Sequence, residues 1–180
     1  MVWSDQISPI WGATGQMLKL TKKADYGLIA LCHLAASRGI RSSASAKDIS
    51  EAYRIPLPLL AKVLQKLARA GLLISEQGTN GGYRLGRDAS EISSLEVIRT
   101  IDGPIILTHC FTEHEGEKEC TQSSLCPVRE PLRKVHEGIL RLLSGITIAD
   151  LAQDDLHYAS IQAMVASIQP SVSRMGSQPR

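Results

Sequence analysis

Residues 45–85 contain the pattern that most restricts what this 180-residue chain can fold into: two helices separated by a short break, followed by a hairpin. The segment Ser45-Ala-Lys-Asp48 predicts the start of a short helix, because a serine and an acidic residue at this spacing cap each other's backbone N–H groups. A second helix is predicted from about Pro58 to Ala70, with Gly71 as its stop. Its apolar residues recur at helical spacing and predict one buried face: Leu60, Val63, Leu64 and Leu67.

A short hairpin is predicted after the second helix. Leu72–Ser75 and Tyr83–Leu85 have the composition of two strands, and Gly78-Thr-Asn-Gly-Gly82 is typical of the turn between them. Helix, turn, helix and glycine-tipped hairpin is the order of a winged helix-turn-helix, in which we expect the glycines to let the hairpin approach a sugar-phosphate backbone closely. The sequence therefore predicts a mainly α-helical fold with a small β-hairpin wing.

Further helices are predicted on both sides of this unit. Thr21–Ser37 is apolar on most sides, as in a central core helix, and Gly39 is its predicted end; Ser93–Ile101 begins with a Ser-x-x-Glu capping pattern. Pro131–Leu143 carries a narrow apolar seam suited to pairing with another helix: Leu132, Val135, Ile139 and Leu142. We divide the chain into an N-terminal extension (1–16), a winged helix-turn-helix domain (17–90), a connecting helix and linker (91–107), a cysteine loop (108–127), a dimerisation helix (128–152) and a C-terminal tail (153–180).

Charge is distributed unevenly along the chain. Residues 17–90 contain 12 Lys and Arg against 5 Asp and Glu, a net charge of +7, whereas residues 91–150 contain 6 against 10, a net charge of −4. A basic front half favours contact with a polyanion such as double-stranded DNA, although chance segregation of solvated charges gives the same pattern. A helical domain in which the hairpin is only a connector, or a winged helix that binds protein, is the alternative.

The candidate DNA-binding residues fall into two groups. Positioning contacts to phosphates are expected from basic side chains: Lys22, Lys23, Lys62, Lys66 and Arg84. The other candidates lie on the first helix, at the start and exposed face of the second helix of the pair, and on the wing: Tyr26, Pro58, Leu59, Ala61, Gln65, Gln77, Thr79, Asn80 and Tyr83.

Three of the four cysteines lie close together in sequence. Cys110, Cys120 and Cys126 have the spacing C-x9-C-x5-C, which is too loose for a zinc knuckle with its short C-x2-C pairs. Three thiolates on one loop can converge on an iron–sulfur cluster. A zinc site, a thiol redox switch and a structural role remain open on the spacing alone. Cys32 lies in an apolar helix and is interpreted as a small buried hydrophobic residue.

Three stretches of the sequence resemble the Rrf-type family of regulators, which includes IscR-like, NsrR-like and SUF-regulator-like proteins. They are Leu18-Lys-Leu-Thr-Lys-Lys-Ala-Asp-Tyr26, the wing Gly78-Thr-Asn-Gly-Gly-Tyr-Arg-Leu85, and the segment from Val97 through Gly103-Pro-Ile-Ile-Leu-Thr-His-Cys110. The resemblance covers about residues 17–152, and Cys126-Pro-Val-Arg129 is similar to the regulators of the SUF iron–sulfur assembly operon. It implies a DNA-binding homodimer, joined largely through the helix after the cysteines, that usually represses transcription.

The same resemblance implies a cofactor and raises the question of its fourth ligand. The cofactor is an iron–sulfur cluster, 2Fe–2S or 4Fe–4S, held by Cys110, Cys120 and Cys126. IscR-like members place a histidine three residues beyond the last cysteine, where this chain has Arg129, which cannot ligate iron. Asp25 matches an aspartate that reaches across from the partner subunit in the nitric-oxide-sensing branch, and it is our candidate. Its position in the first turn of a helix is also explained by the helix dipole alone.

Other candidates for the fourth ligand are His109, His114 and Glu130. Two departures from the family concern DNA. Gln77 stands where members often carry a wing arginine, so a bidentate guanine contact from that position is lost. Pro56-Leu57-Pro58 replaces a polar helix N-cap. Both departures put the operator sequence in doubt more than DNA binding itself.

Several classes of protein are disfavoured by the sequence. No stretch approaches the roughly 18 apolar residues of a membrane span, and residues 1–16 do not resemble a signal peptide, so a cytoplasmic protein without membrane contact is expected. No phosphate-cradling loop or nucleophile elbow points to an enzyme. The predicted function is an iron–sulfur-sensing repressor of SUF assembly genes. The alternatives are a nitric-oxide-sensing repressor of the same family and a zinc-stabilised interaction module.

Overall fold

The computed structural model describes residues 20–37, 43–78, 81–108 and 125–153. Within these ranges the elements are, in chain order, α1 (Lys22–Ala36), α2 (Ala46–Tyr53), α3 (Leu57–Arg69), β1 (Leu73–Glu76), β2 (Gly82–Leu85), a 3-10 turn (Ala89–Glu91), α4 (Ser94–Asp102), α5 (Arg129–Gly145) and α6 (Ile148–Ala152). The predicted fold class is confirmed: the described part of the chain is mainly helical, with one antiparallel β-hairpin. No helix in these ranges is long and apolar enough to cross a membrane.

Helices α2 and α3 form the predicted helix-turn-helix. The Ser45 hydroxyl accepts from the Asp48 backbone N–H at 3.1 Å, and the Asp48 carboxylate accepts from the Ser45 N–H at 3.1 Å, so the capping box is complete. The helix ends at Arg54, which adopts a left-handed conformation with φ 54° and ψ 38°. Pro56 then starts α3 without a side-chain cap. The chain therefore turns sharply between two short helices.

One face of α3 anchors it in the core. The four residues predicted from the periodicity are the buried ones: Leu60, Val63, Leu64 and Leu67. They belong to a single apolar cluster that also contains Leu31 of α1, Ile49 of α2, Leu72 before β1 and Ile92 before α4. Because this face is fully covered, the opposite face of α3 is directed away from the core.

The hairpin has a tighter attachment to the helices than the sequence indicated. Its register pairs Leu73 with Leu85 and Glu76 with Gly82. Ala44, just before α2, adds a short bridge to the outer edge of β2, donating to the Tyr83 carbonyl at 3.0 Å and accepting from its N–H at 2.8 Å. The wing is thereby fastened to the start of the helix-turn-helix.

Two glycines of the wing are explained by the protein's own backbone. A Cβ on Gly82 would lie 2.5 Å from the Ala44 carbonyl oxygen, and one on Gly81 would lie 2.6 Å from the Glu76 carbonyl oxygen. We expected these glycines to permit close approach to a phosphate backbone. What the structure shows is that glycine is required here to let strand and turn pack against neighbouring chain.

The end of the chain's described part returns to the head. Helix α5 is two residues longer at each end than the predicted Pro131–Leu143. After it, the Ser94 N–H donates to the Ile146 carbonyl and the Ile148 N–H donates to the Ile92 carbonyl, both at 2.8 Å. Helix α6, which we did not predict, follows with its own capping box and packs against α1.

The structure modifies two other expected boundaries. α1 has the predicted N-cap, with the Thr21 hydroxyl accepting from the Ala24 N–H at 3.2 Å, but it ends with Ser37 as its C-cap, before the predicted stop at Gly39. Residue 39 lies outside the described ranges. At α4 only half of the predicted capping box forms, because Glu96 binds Arg87 at 2.5 Å instead of the Ser93 backbone.

We predict that Gly82→Ala lowers the free energy of unfolding by about 1–3 kcal/mol, because the added methyl group must displace the Ala44 backbone. Thermal or urea unfolding of the purified protein measures the change. Ser75→Ala, an exposed position on the facing strand, is the control and should alter stability by less than about 0.5 kcal/mol. Equal stability of the two variants would contradict this explanation of Gly82.

Candidate nucleic-acid interface and cysteine site

The exposed face of α3 is cationic and partly apolar. Pro58, Lys62, Gln65 and Lys66 are exposed, whereas Leu59 and Ala61 are half-buried. The helix contains no acidic residue, and Lys62 makes no hydrogen bond or ion pair with the described residues. A helix of about three turns with this face fits a DNA major groove, in which lysines neutralise phosphates.

Lys66 has a partner within the protein. Its Nζ donates to the backbone carbonyl of Ile101 at 2.9 Å and so caps the C-terminal end of α4. The side chain remains exposed at the edge of the α3 surface. Its proposed phosphate contact is therefore in competition with, or additional to, a structural contact that the sequence did not reveal.

Helix α1 presents its positively polarised N-terminus next to two lysines. Lys22 and Lys23 are exposed, and no ion pair joins them to another described residue. Together with the helix dipole, they form a second cationic patch. Tyr26 is half-buried and packs against the core, so it has a packing role whether or not its hydroxyl reaches DNA.

The wing contributes fewer available side chains than predicted. The Arg84 guanidinium donates from Nε to the Glu76 carboxylate at 2.6 Å across the hairpin, so a phosphate would have to compete with this ion pair. Tyr83 is half-buried and held by the Ala44 bridge. Gln77 is exposed immediately after β1. Thr79 and Asn80 lie outside the described residues.

Of the three loop cysteines, only Cys126 is among the described residues; Cys110 and Cys120 lie outside them, as do His109 and His114. Cys126 lies just before α5, is half-buried and carries a free thiol. The described residues contain no group of three metal-ligating side chains. The donor chemistry of Cys126 fits an iron–sulfur cluster, since thiolate sulfur is the usual ligand, and it equally fits zinc.

The remaining candidate ligands differ in availability. Asp25 is exposed in the first turn of α1, and its carboxylate makes no hydrogen bond or ion pair with the described residues. Glu130 is engaged: Arg133 donates to both of its oxygens and also to Glu137. The Arg133 hydrogen bonds, aided by the nearby positive charges, hold the pKa of Glu130 below its usual range. Between the two, Asp25 is the freer carboxylate.

Cys32 differs from Cys126 in its surroundings. It packs against the core from α1, and burial raises the pKa of its thiol above the usual range. A raised pKa reduces the thiolate fraction at neutral pH, which weakens both nucleophilic and metal-binding character. This environment agrees with its interpretation as a hydrophobic residue.

The C-terminal end of α4 connects the two parts of the site. The Thr21 hydroxyl donates to one Asp102 carboxylate oxygen at 2.6 Å, and the Thr21 N–H donates to the other at 3.3 Å. Lys66 of α3 holds the preceding carbonyl, at Ile101. The segment leading to Cys110 therefore leaves α4 at a point held by the N-terminus of α1 and by α3, which are the two cationic elements.

This junction is also closely packed. Gly27 of α1 faces α4 and α3, and a Cβ at that position would lie 2.2 Å from Ile101 Cδ1 and 3.5 Å from Val63 Cγ1. Three helices thus meet where glycine leaves room for the isoleucine. Sequence inspection did not identify Thr21–Asp102, Lys66–Ile101 or Gly27 as functional contacts, because the partners are far apart in the chain.

Comparison with known proteins supports one family. The chain matches the Rrf2 family, described as iron-dependent transcriptional regulators, over residues 20–154. It is 35% identical over 136 residues to Protein aau3 of Rhizobium meliloti (strain 1021), covering 76% of this chain and 86% of that protein.

Solved structures agree with this assignment. The global cysteine regulator CymR (YrzC) of B. subtilis has 29% sequence identity and a TM-score of 0.61, covering 76% of this chain and 97% of CymR. IscR of T. potens has 30% identity and a TM-score of 0.58, covering 76% and 88% respectively. The oxidised form of Staphylococcus aureus CymR has 28% identity and a TM-score of 0.58, covering 75% and 96%. Since the family match spans most of the chain and the winged-helix fold agrees, this chain belongs to the Rrf2 family of transcriptional regulators.

Proposed function

We propose that this chain is a cytoplasmic, dimeric repressor that binds an iron–sulfur cluster through Cys110, Cys120 and Cys126 and controls genes of SUF-type cluster assembly. The observation that carries DNA binding is the exposed cationic face of α3 within an Rrf2-family winged helix. The cluster assignment is supported by the cysteine trio and by similarity to an IscR. Asp25 is the proposed fourth ligand.

The apolar side of α5 supports the dimer. Val128 and Val135 are 53% and 51% exposed, and Leu132, Ile139 and Leu142 are only half-buried within this chain. A narrow seam of this kind on a 17-residue helix is suited to pairing with the same helix of a second copy. Dimerisation also places two α3 helices for the two halves of a palindromic operator.

The proposed signal passes through the held end of α4. When bound, the cluster would supply an iron centre whose state depends on oxidants, nitric oxide and iron supply. The protein's part is mechanical. A shift of the segment after Asp102 changes the contacts that Thr21 and Lys66 make, and these residues belong to α1 and α3. The two states of the loop thereby acquire different affinities for DNA, which is what coupling between two sites requires.

A second candidate is a thiol-based sensor without a cluster. Similarity to CymR, the cysteine regulator, and to its oxidised form favours this reading. In that case, cysteine oxidation would replace cluster occupancy as the signal, and the same junction would transmit it. A nitric-oxide sensor within the same family is distinguished by the genes that the protein controls. Mapping its bound promoters separates assembly genes from nitric-oxide-detoxifying genes.

We predict that Lys62→Ala weakens binding to all duplex sequences about equally and reduces the slope of log affinity against log salt by about 1, because one phosphate contact is lost. Fluorescence anisotropy over a range of salt concentrations measures both effects. Lys134→Ala removes the same charge from an exposed position of α5 and is the matched control. A salt slope identical to that of the wild type in Lys62→Ala would remove Lys62 from the interface.

Replacing any one loop cysteine with alanine should abolish cluster binding, whereas Cys32→Ala should retain it. Iron, acid-labile sulfide and visible absorbance of anaerobically purified protein measure this. Colourless wild-type protein with stoichiometric zinc would support the zinc module. Protein with neither metal, but with DNA affinity that changes on oxidation, would support the thiol sensor.

We predict that Val135→Lys raises the dimer dissociation constant at least about 100-fold, because the seam would bury an unpaired charge. Sedimentation velocity at several concentrations measures the dissociation constant. Ser144→Lys adds the same charge at an exposed position elsewhere on α5 and should remain dimeric. If both variants stay dimeric, α5 does not form the interface in this way.

A further inference from the structure

The first turn of α3 is unusual because its exposed surface is apolar. The helix begins with Pro56 as the N-cap and continues Leu57-Pro-Leu-Leu-Ala61, so no side chain that can form a hydrogen bond precedes Lys62. Leu57 is 41% exposed, and Pro58 is exposed beside it. In a helix-turn-helix, the N-terminal residues of the second helix are those that contact base edges. Here these residues cannot recognise donors or acceptors.

We propose that Leu57 recognises a thymine by its C5 methyl group in the major groove. This inference rests on the proposed DNA-binding function. Among the groups that base pairs present in the major groove, that methyl group is the apolar one, so an apolar side chain at the base edges can discriminate only through it. Contact removes both apolar surfaces from water, which favours thymine over cytosine at that position.

The charge around Leu57 favours DNA over a protein partner as the occupant. α3 carries Lys62, Lys66 and Arg69 on exposed positions and has no acidic residue. An exposed leucine surrounded by cations matches a polyanion that has apolar spots on its groove floor. A hydrophobic partner protein would bring no neutralising charge to these side chains.

The packing of α3 explains why Leu57 stays available. The stripe Leu60, Leu64 and Leu67 is fully buried and sets the rotation of the helix. Leu57 lies outside that stripe, at the end of the helix where Ile55 is the last buried residue before the turn. Apolar surface at this position is thus not required for the core.

The test uses the full chain purified anaerobically and an operator selected by that protein from random duplexes. Each thymine of the selected half-site is replaced in turn by uracil, which lacks only the methyl group. For the wild type, affinity should fall about fourfold at one position in each half-site, the value expected for one buried carbon. Leu57→Ala should bind the thymine and uracil versions of that position equally, while its salt slope is unchanged.

Two variants keep the result interpretable. Ile106→Ala truncates an apolar side chain of similar exposure, 39%, outside the helix-turn-helix, and should keep the wild-type sensitivity to uracil. Leu57→Met preserves an apolar contact and should also keep it. Unchanged melting temperatures show that the variants are folded.

The outcomes separate this proposal from the proposed function. If the wild type selects an operator but binds its uracil versions equally well, or if Leu57→Ala keeps the penalty at the same position, Leu57 does not recognise thymine while specific DNA binding stands. If Leu57→Ala binds every duplex as the wild type does, the exposed leucine serves another partner and the proposal is overturned. If the wild type selects no sequence, the proposed function itself fails.

Discussion

Burial of one face of α3 is the constraint on which the rest of this structure depends. Leu60, Leu64 and Leu67 are fully enclosed by the core, so the helix can rotate no further without exposing them. That rotation directs Pro58, Lys62 and Gln65 outward together, although none of them contributes to the packing that places them there. The exposed surface of α3 is therefore a consequence of its buried surface. Its function depends on side chains that the core leaves unrestricted.

The second organising feature is the polar and apolar junction at the end of α4. Thr21 caps α1 and at the same time binds Asp102, and Lys66 binds the neighbouring carbonyl. These contacts are exposed or partly exposed, so each contributes modestly to stability. Contacts of this strength are suited to a switch, because a modest change in free energy can rearrange them. Their position between the cysteine segment and the cationic helices gives them a role that stability alone does not require.

Local sequence signals predicted the helices and strands well. The capping pair at Ser45 and the threonine before α1 act over three or four residues, and apolar periodicity acts within a single helix. Helix α6 was missed although Thr147 and Asp150 carry the same capping signal, because five helical residues have too little periodicity to be noticed. The glycines of the wing were recognised as important but for a different reason, since only the fold shows that Ala44 lies against Gly82.

The sequence by itself determined which face of each helix is apolar, where the winged helix begins and ends, the clustering of three cysteines and the family to which they point. These are properties of neighbouring residues, which covalent geometry and periodicity bring together in any fold. Only the tertiary structure decided that Lys66 and Arg84 already have partners and that α6 returns to pack on α1. The partners of Lys66 and Thr21 are 35 and 81 residues away. Contacts across such separations follow from how the helices pack, and no local pattern records them.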